Sequence, residues 1–224
     1  MDQGSSWERR NLTKLNNGLA QARWPGDWQA SLRIARSTLR REAQRMSRAR
    51  IIHSTAVHEA AHAVIAGVLG FECSHVTIVP GLANGSLGRA AIASPQRDRN
   101  DGVPQLVRAQ VIISLAGREA EEELVGAGIS ARNGIYGDHL DRARARMYLR
   151  ELVYPLANPK CRGEWELREA EVERLMDRFR DECRCFIRRY RVSIEDFAAE
   201  LEKEHSLSGR YLAALLAQAT GSRN

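Results

Sequence analysis

Residues 54–70 read STAVHEAAHAVIAGVLG, and His58-Glu59-Ala60-Ala61-His62 lies inside them. Ser54 or Thr55 is a plausible cap, the alanine-rich run favours a helix to about Leu69, and Gly70 is a natural stop. Positions four apart on an α-helix share one face, separated by about 6 Å of rise, so the two imidazoles can converge on one ion at roughly 2.1 Å each. Glu59 projects to the side. It lies too far round the helix to join both histidines as a ligand, but it can hold a water beside the ion and take its proton. A helix carrying two histidines in a polar core is the bland alternative, and the helical context with the apolar run Val64–Leu69 favours the zinc site over it.

A catalytic zinc site needs a third protein ligand and an open position. The longer HExxHxxGxxH form would require Gly at 65 and His at 68, where Ile65 and Val68 stand, so that class is excluded. Two carboxylate clusters remain: Glu119, Glu121, Glu122 and Glu123, or Asp138 and Asp141. His53, His75, His139 and His205 are further candidates, each more often an ordinary surface or packed histidine.

Outward from this helix, His75–Val79 and Ser86–Ile92 alternate as two strands of a small sheet across a Gly-rich connection. Pro95–Gly102 reads as a polar loop. Apolar spacing marks a buried helix from Pro104 to about Val125. A loop rich in glycine leads to Asp138, at an N-cap position, and a helix to about Tyr154. From Gly163 onward the pattern is helical: one long charged helix to about Tyr190, a short one from about Ile194 to Glu204, and a terminal one over Ser208–Ala219. The expected fold class is mainly α with a small β element, α+β. The expected parts are a basic arm over 1–50, a core over 51–160, and a helical part of the same domain over 161–224.

The 224 residues are 43% apolar and 28% charged, enough for one substantial core or two small ones. The longest nearly uncharged stretch, Ala60–Phe71, falls short of the roughly 20 residues of a membrane span, and no signal-peptide pattern opens the chain. Four cysteines without CxxC spacing indicate neither a disulfide framework nor a thiolate zinc site, and a cytoplasmic setting is expected. Residues 1–50 hold 11 Lys and Arg against 4 Asp and Glu, whereas the remainder holds 23 against 24. Leu32, Ala35, Leu39, Ala43 and Met46 recur at helical spacing among those arginines, giving a basic amphipathic helix. Such a helix could touch nucleic acid, an anionic membrane or an acidic partner protein, and with no aromatic platform or known nucleic-acid module beside it a solvated arm in an arginine-biased chain is favoured.

Five blocks occur in order: TAVHEAAHAV (55–64), VTIVPG (76–81), GSLG (85–88), LAGREAEEELVG (115–126) and GISARNGIYGD (128–138), with a weaker echo in LEKEHSLSGRYL (201–212). Together they resemble the peptidase domain of the FtsH-type zinc metalloproteases over about 54–155. The resemblance implies a zincin-like domain with Zn2+ held by His58, His62 and Asp138, Glu59 as the catalytic glutamate, and endopeptidase activity on unfolded or flexible polypeptides. Family members show an Asp followed by an Ala four residues later. Arg142 stands at that spacing from Asp138, which makes Asp141 the alternative ligand.

The family joins this domain to an ATP-driven unfolding module, whereas this chain carries no GxxxxGK[ST]. The resemblance implies a polypeptide substrate, and the charge and position of the arm offer it as a docking element for a separate unfoldase or other protein partner. The family's hexamers admit an oligomer here, although its ring draws on the missing module. Ser86–Ile92 offers an edge to which an extended substrate could add, with internal pairing the alternative. Gly88 and Gly117 read as close-approach packing positions. The rival reading is an inactive zinc-site adaptor that uses its arm for a protein or nucleic acid; Glu59 argues against it, because a structural site needs no such glutamate. A deformylase-like hydrolase would want a ligand cysteine upstream of the helix, and none precedes Cys73.

Overall fold

The computed structural model describes residues 28–80, 87–93, 103–126, 137–153 and 162–220, with backbone only for 28–47, 103 and 137–139. The sequence expectations for 95–102, 127–136 and the side chains of the basic helix therefore lie outside the described residues. The chain divides into two units, Met1–Met46 and Ser47–Asn224, and the core and the candidate site both lie in the second.

Helix α1 (Trp28–Val68) passes through 54–55 without the break expected there. The reason is where the two hydroxyls go. Ser54 donates to the Glu121 carboxylate and Thr55 to the carbonyl of Ile51 one turn back, so neither caps a backbone amide. The helix ends as expected, at a left-handed Gly70 with φ +80°. Between 56 and 66 it is apolar almost all round, and Ala56, Val57, Ala60, Ala61, Ala63, Val64, Ile65 and Ala66 are all buried. A helix of that character belongs at the centre of a core, and its alanines let neighbouring backbone approach closely.

Strands β1 (Glu72–Thr77) and β2 (Arg89–Ala93) pair antiparallel, with a bulge between Cys73 and His75. A third strand, β3 (Ser206–Ser208), pairs antiparallel on the other side of β1, giving the order β2-β1-β3. Strand β2 thus has a sheet neighbour on one side only among the described residues.

Helix α2 (Val103–Ala120) continues into one wide π turn, Glu121–Val125, closed by the Gly126 amide donating to the Glu121 carbonyl at 2.9 Å. It buries Val107, Val111, Ile112, Leu115, Ala116 and Ala120. Helix α3 (Gly137–Val153) contributes Ala145 and Leu149 to that core, and begins early enough to put Asp138 in its first turn. Helix α4 (Arg162–Arg189) buries the stripe Val172, Met176, Phe179, Cys183 and Ile187 at spacings of three and four and leaves its charged faces outward. Helices α5 (Arg191–Glu204) and α6 (Gly209–Ala219) flank β3. The unit is mostly helical with a small antiparallel sheet, an α+β arrangement. No helix among the described residues is long and apolar enough to cross a membrane.

Candidate metal centre

His58 and His62 project from the buried middle of α1 toward α2. Gly117 makes the room: a Cβ there would stand 2.4 Å from His58 Nε2, inside the imidazole's own space. The ring is then fixed from its other nitrogen. His58 Nδ1 donates to Glu121 Oε1 at 2.6 Å, and Ser54 Oγ donates to the other oxygen of that carboxylate at 2.9 Å. His62 Nδ1 lies 2.7 Å from the Ile113 carbonyl. A carbonyl only accepts, so His62 carries its proton on Nδ1 and turns a lone pair outward at Nε2. Such Nδ1 partners fix the tautomer and orientation of metal-ligating histidines and raise their basicity.

The two Nε2 atoms face each other at 3.0 Å, and Asp141 Oδ2 on α3 lies 3.3 Å from each. Three potential donor atoms for a metal therefore meet at one point. Tetrahedral zinc with ligand bonds of about 2.0–2.1 Å spaces its donors about 3.3–3.4 Å apart, and the observed triangle is close to that. The donor set, two imidazoles and one carboxylate, is also that of known catalytic zinc sites. These residues fit a zinc ion, and they are the group of His, Cys, Asp and Glu side chains among the described residues that could hold one.

The electrostatics agree. Burial by itself would lower the His58 pKa, but hydrogen bonds to Asp141 and Glu121 and the charge of Glu59 overcome it and hold the ring well above its ordinary value. Burial would raise the Asp141 carboxyl, yet the two histidines hold it far below the carboxylate range.

Glu59 is 7% exposed and lines an open cleft of about 790 Å³ with both histidines, Asp141 and strand β2. Burial pushes its pKa up, with the histidines opposing and Asp141 and Glu121 adding to the rise. Gly88 gives it space, since a Cβ there would come within 2.7 Å of Glu59 Oε1 and 2.9 Å of the Thr77 carbonyl. Both glycines are thus close-approach positions.

The remaining candidates are placed elsewhere. Glu119, Glu122 and Glu123 pair with arginines of α4. His53 pairs with Glu202, His75 sits on β1 near Ser206 Oγ, and His205 is the left-handed residue that ends α5. The side chains of Asp138 and His139 lie outside the described residues. The role of Glu121 as the partner of His58 was hidden in sequence, one glutamate among four. Asp141 is brought to the histidines by the packing of α3, with Ala145, four residues on, buried in the core.

No family model matches the chain. It is 29% identical, over 230 aligned positions covering 88% of its length, to the ATP-dependent zinc metalloprotease FtsH 2 of Sorangium cellulosum. The chain spans 37% of that protein's length, so the similarity concerns part of it, and the relationship it supports is a distant FtsH-like one.

Proposed function

We propose that this chain is a zinc-dependent endopeptidase of zincin type, with His58, His62 and Asp141 as metal ligands and Glu59 as general base. The observation that carries this reading is the meeting of His58 Nε2, His62 Nε2 and Asp141 Oδ2 within 3.3 Å of one another beside a buried glutamate in an open cleft. Zinc held there would supply the Lewis acidity that makes water a nucleophile at neutral pH and polarises a peptide carbonyl. Glu59, with its pKa raised by burial, would accept the water's proton and return it to the departing amine. Asp138 is the other candidate for the third ligand, and substitution of each aspartate separates the two.

Strand β2 lines the cleft, no described strand pairs its far edge, and Ala90, Ala91 and Ala93 leave its backbone uncrowded. An extended polypeptide would add to it as a strand, which fits unfolded or flexible substrates. Residues 1–50, with their excess of arginine, are the segment we assign to docking a partner such as an unfoldase, and a cytoplasmic setting suits such substrates. The test is cleavage of a casein-type substrate together with zinc content for the wild type and Glu59→Gln. The reading predicts zinc in both proteins and a rate lower by about 10²–10⁴-fold in the variant. Equal cleavage would refute it, and zinc without cleavage in either would support the adaptor reading.

A further inference from the structure

The end of α2 carries four glutamates that work in opposite directions. At 100° per residue, Glu119, Glu122 and Glu123 share one face and Glu121 points roughly the other way. Glu121 turns to α1 and bonds His58 and Ser54. The other three turn to α4, where arginines at every fourth position meet them. Arg180 Nε lies 2.8 Å from Glu119 Oε1, and Arg184 Nε 2.6 Å from Glu119 Oε2. Arg184 also reaches Glu122 at 3.3 Å, and Arg188 grips Glu123 through two nitrogens at 2.7 and 3.1 Å.

The Glu119 contacts differ from ordinary surface pairs. The Glu119 side chain is 1% exposed, hydrogen-bonded by Arg180 and in ion-pair contact with Arg184, so it is a buried charge that depends on them. The Glu122–Glu123 part of the clasp falls within the π turn that Glu121 opens, a departure from regular helix that needs support from outside.

We propose that Arg180, Arg184 and Arg188 are positioning residues for the metal centre, acting through the π turn to hold Glu121 against His58 Nδ1. The inference rests on the functional reading above only for the zinc it invokes. The clasp explains an asymmetry between the ligands: His62 is oriented by a backbone carbonyl within α2, whereas His58 is oriented by a side chain whose own platform is fixed from α4. Loosening α4 should therefore disturb one ring and spare the other.

The test compares wild type, Arg184→Ala and the milder Arg188→Ala, with Arg174→Ala as control, because Arg174 pairs with Glu171 on its own helix away from the π turn. The first readout is the ring N–H proton resonance of His58 and of His62, by NMR in chelator-treated protein. The second is the zinc dissociation constant by chelator competition, also for Glu121→Gln and Glu121→Gln/Arg184→Ala. Arg184→Ala should shift or broaden the His58 signal, leave that of His62 in place, and weaken zinc binding about three- to tenfold, less than the 10–100-fold typical of a direct partner of a ligand. Arg188→Ala should do the same to a smaller degree, and Arg174→Ala should do neither. In the Glu121→Gln background, Arg184→Ala should weaken zinc binding no further. An unchanged His58 resonance in both clasp variants, or additive losses in the double variant, would overturn the proposal. A His58 resonance that moves in a chain that binds no zinc would uphold the clasp and refute the functional reading instead.

Discussion

The histidine side and the carboxylate side of the candidate metal site are held in different ways. On the histidine side, every unused ring nitrogen has a partner on α2, and Gly117 is shaped to the ring it receives. On the other side, Asp141 is 17% exposed and its outer oxygen meets Arg144, itself 56% exposed, at 3.4 Å. The rigid half thus presents two fixed donors, and the half on α3 brings a carboxylate from 83 residues away in the chain. Sites of this kind separate recognition of the metal, set by preorganised imidazoles, from completion of the ligand set, set by how two helices dock.

The comparison can be broken most severely at Gly117. Gly117→Ala puts a methyl 2.4 Å from His58 Nε2, with the rigid α2 backbone behind it, so the ring must leave its place. Zinc retention after gel filtration should be abolished; a variant that keeps zinc would show that the floor of the site is not rigid. Next comes Asp141→Ala, in which the ligand itself is lost. Zinc affinity, by chelator competition, should fall by more than the 10–100-fold typical of an outer partner, whereas Asp138→Ala should bind within a few-fold of wild type. The reverse ranking would hand the ligand role to Asp138. Glu121→Gln keeps the shape but removes the charge behind His58, and should weaken zinc binding by about 10–100-fold.

The gentlest effect is one of pH, read as melting temperature in chelator-stripped protein. The raised His58 pKa contributes stability that is full below its ordinary 6.5 and is lost as pH rises through the folded value. The depressed Asp141 pKa contributes stability present above its ordinary 3.8 and lost as pH falls through the folded value. The stripped protein should thus be most stable between those two ordinary values. Saturating zinc requires a neutral His58, so protons compete with it and the optimum should move to higher pH. An optimum unmoved by zinc would mean that His58 is not a ligand.

The range of each interaction decides how much of this was legible in sequence. The HExxH pair is local, fixed by the helical repeat, and it was readable. So were the spans of α2, α4 and α6, whose apolar spacing repeats over several turns. Strand β3 was not, because Ser206-Leu207-Ser208 is too short for alternation to register and exists only because β1 offers a neighbour. The expected break at Ser54 failed because its hydroxyl serves Glu121, 67 residues on, a partner no local rule supplies. The resemblance points to Asp138 first and Asp141 second, and what sets Asp141 Oδ2 against both histidines is the packing of α3, which no local pattern encodes.

The central claim is that His58, His62 and Asp141 converge on one divalent ion. A crystal of the zinc-loaded chain, with anomalous difference maps recorded on both sides of the zinc edge, tests it most directly. The account predicts one zinc peak per chain, within bonding distance of His58 Nε2, His62 Nε2 and Asp141 Oδ2. A peak lying elsewhere, or one bonded to the histidines with Asp141 turned away, would contradict it.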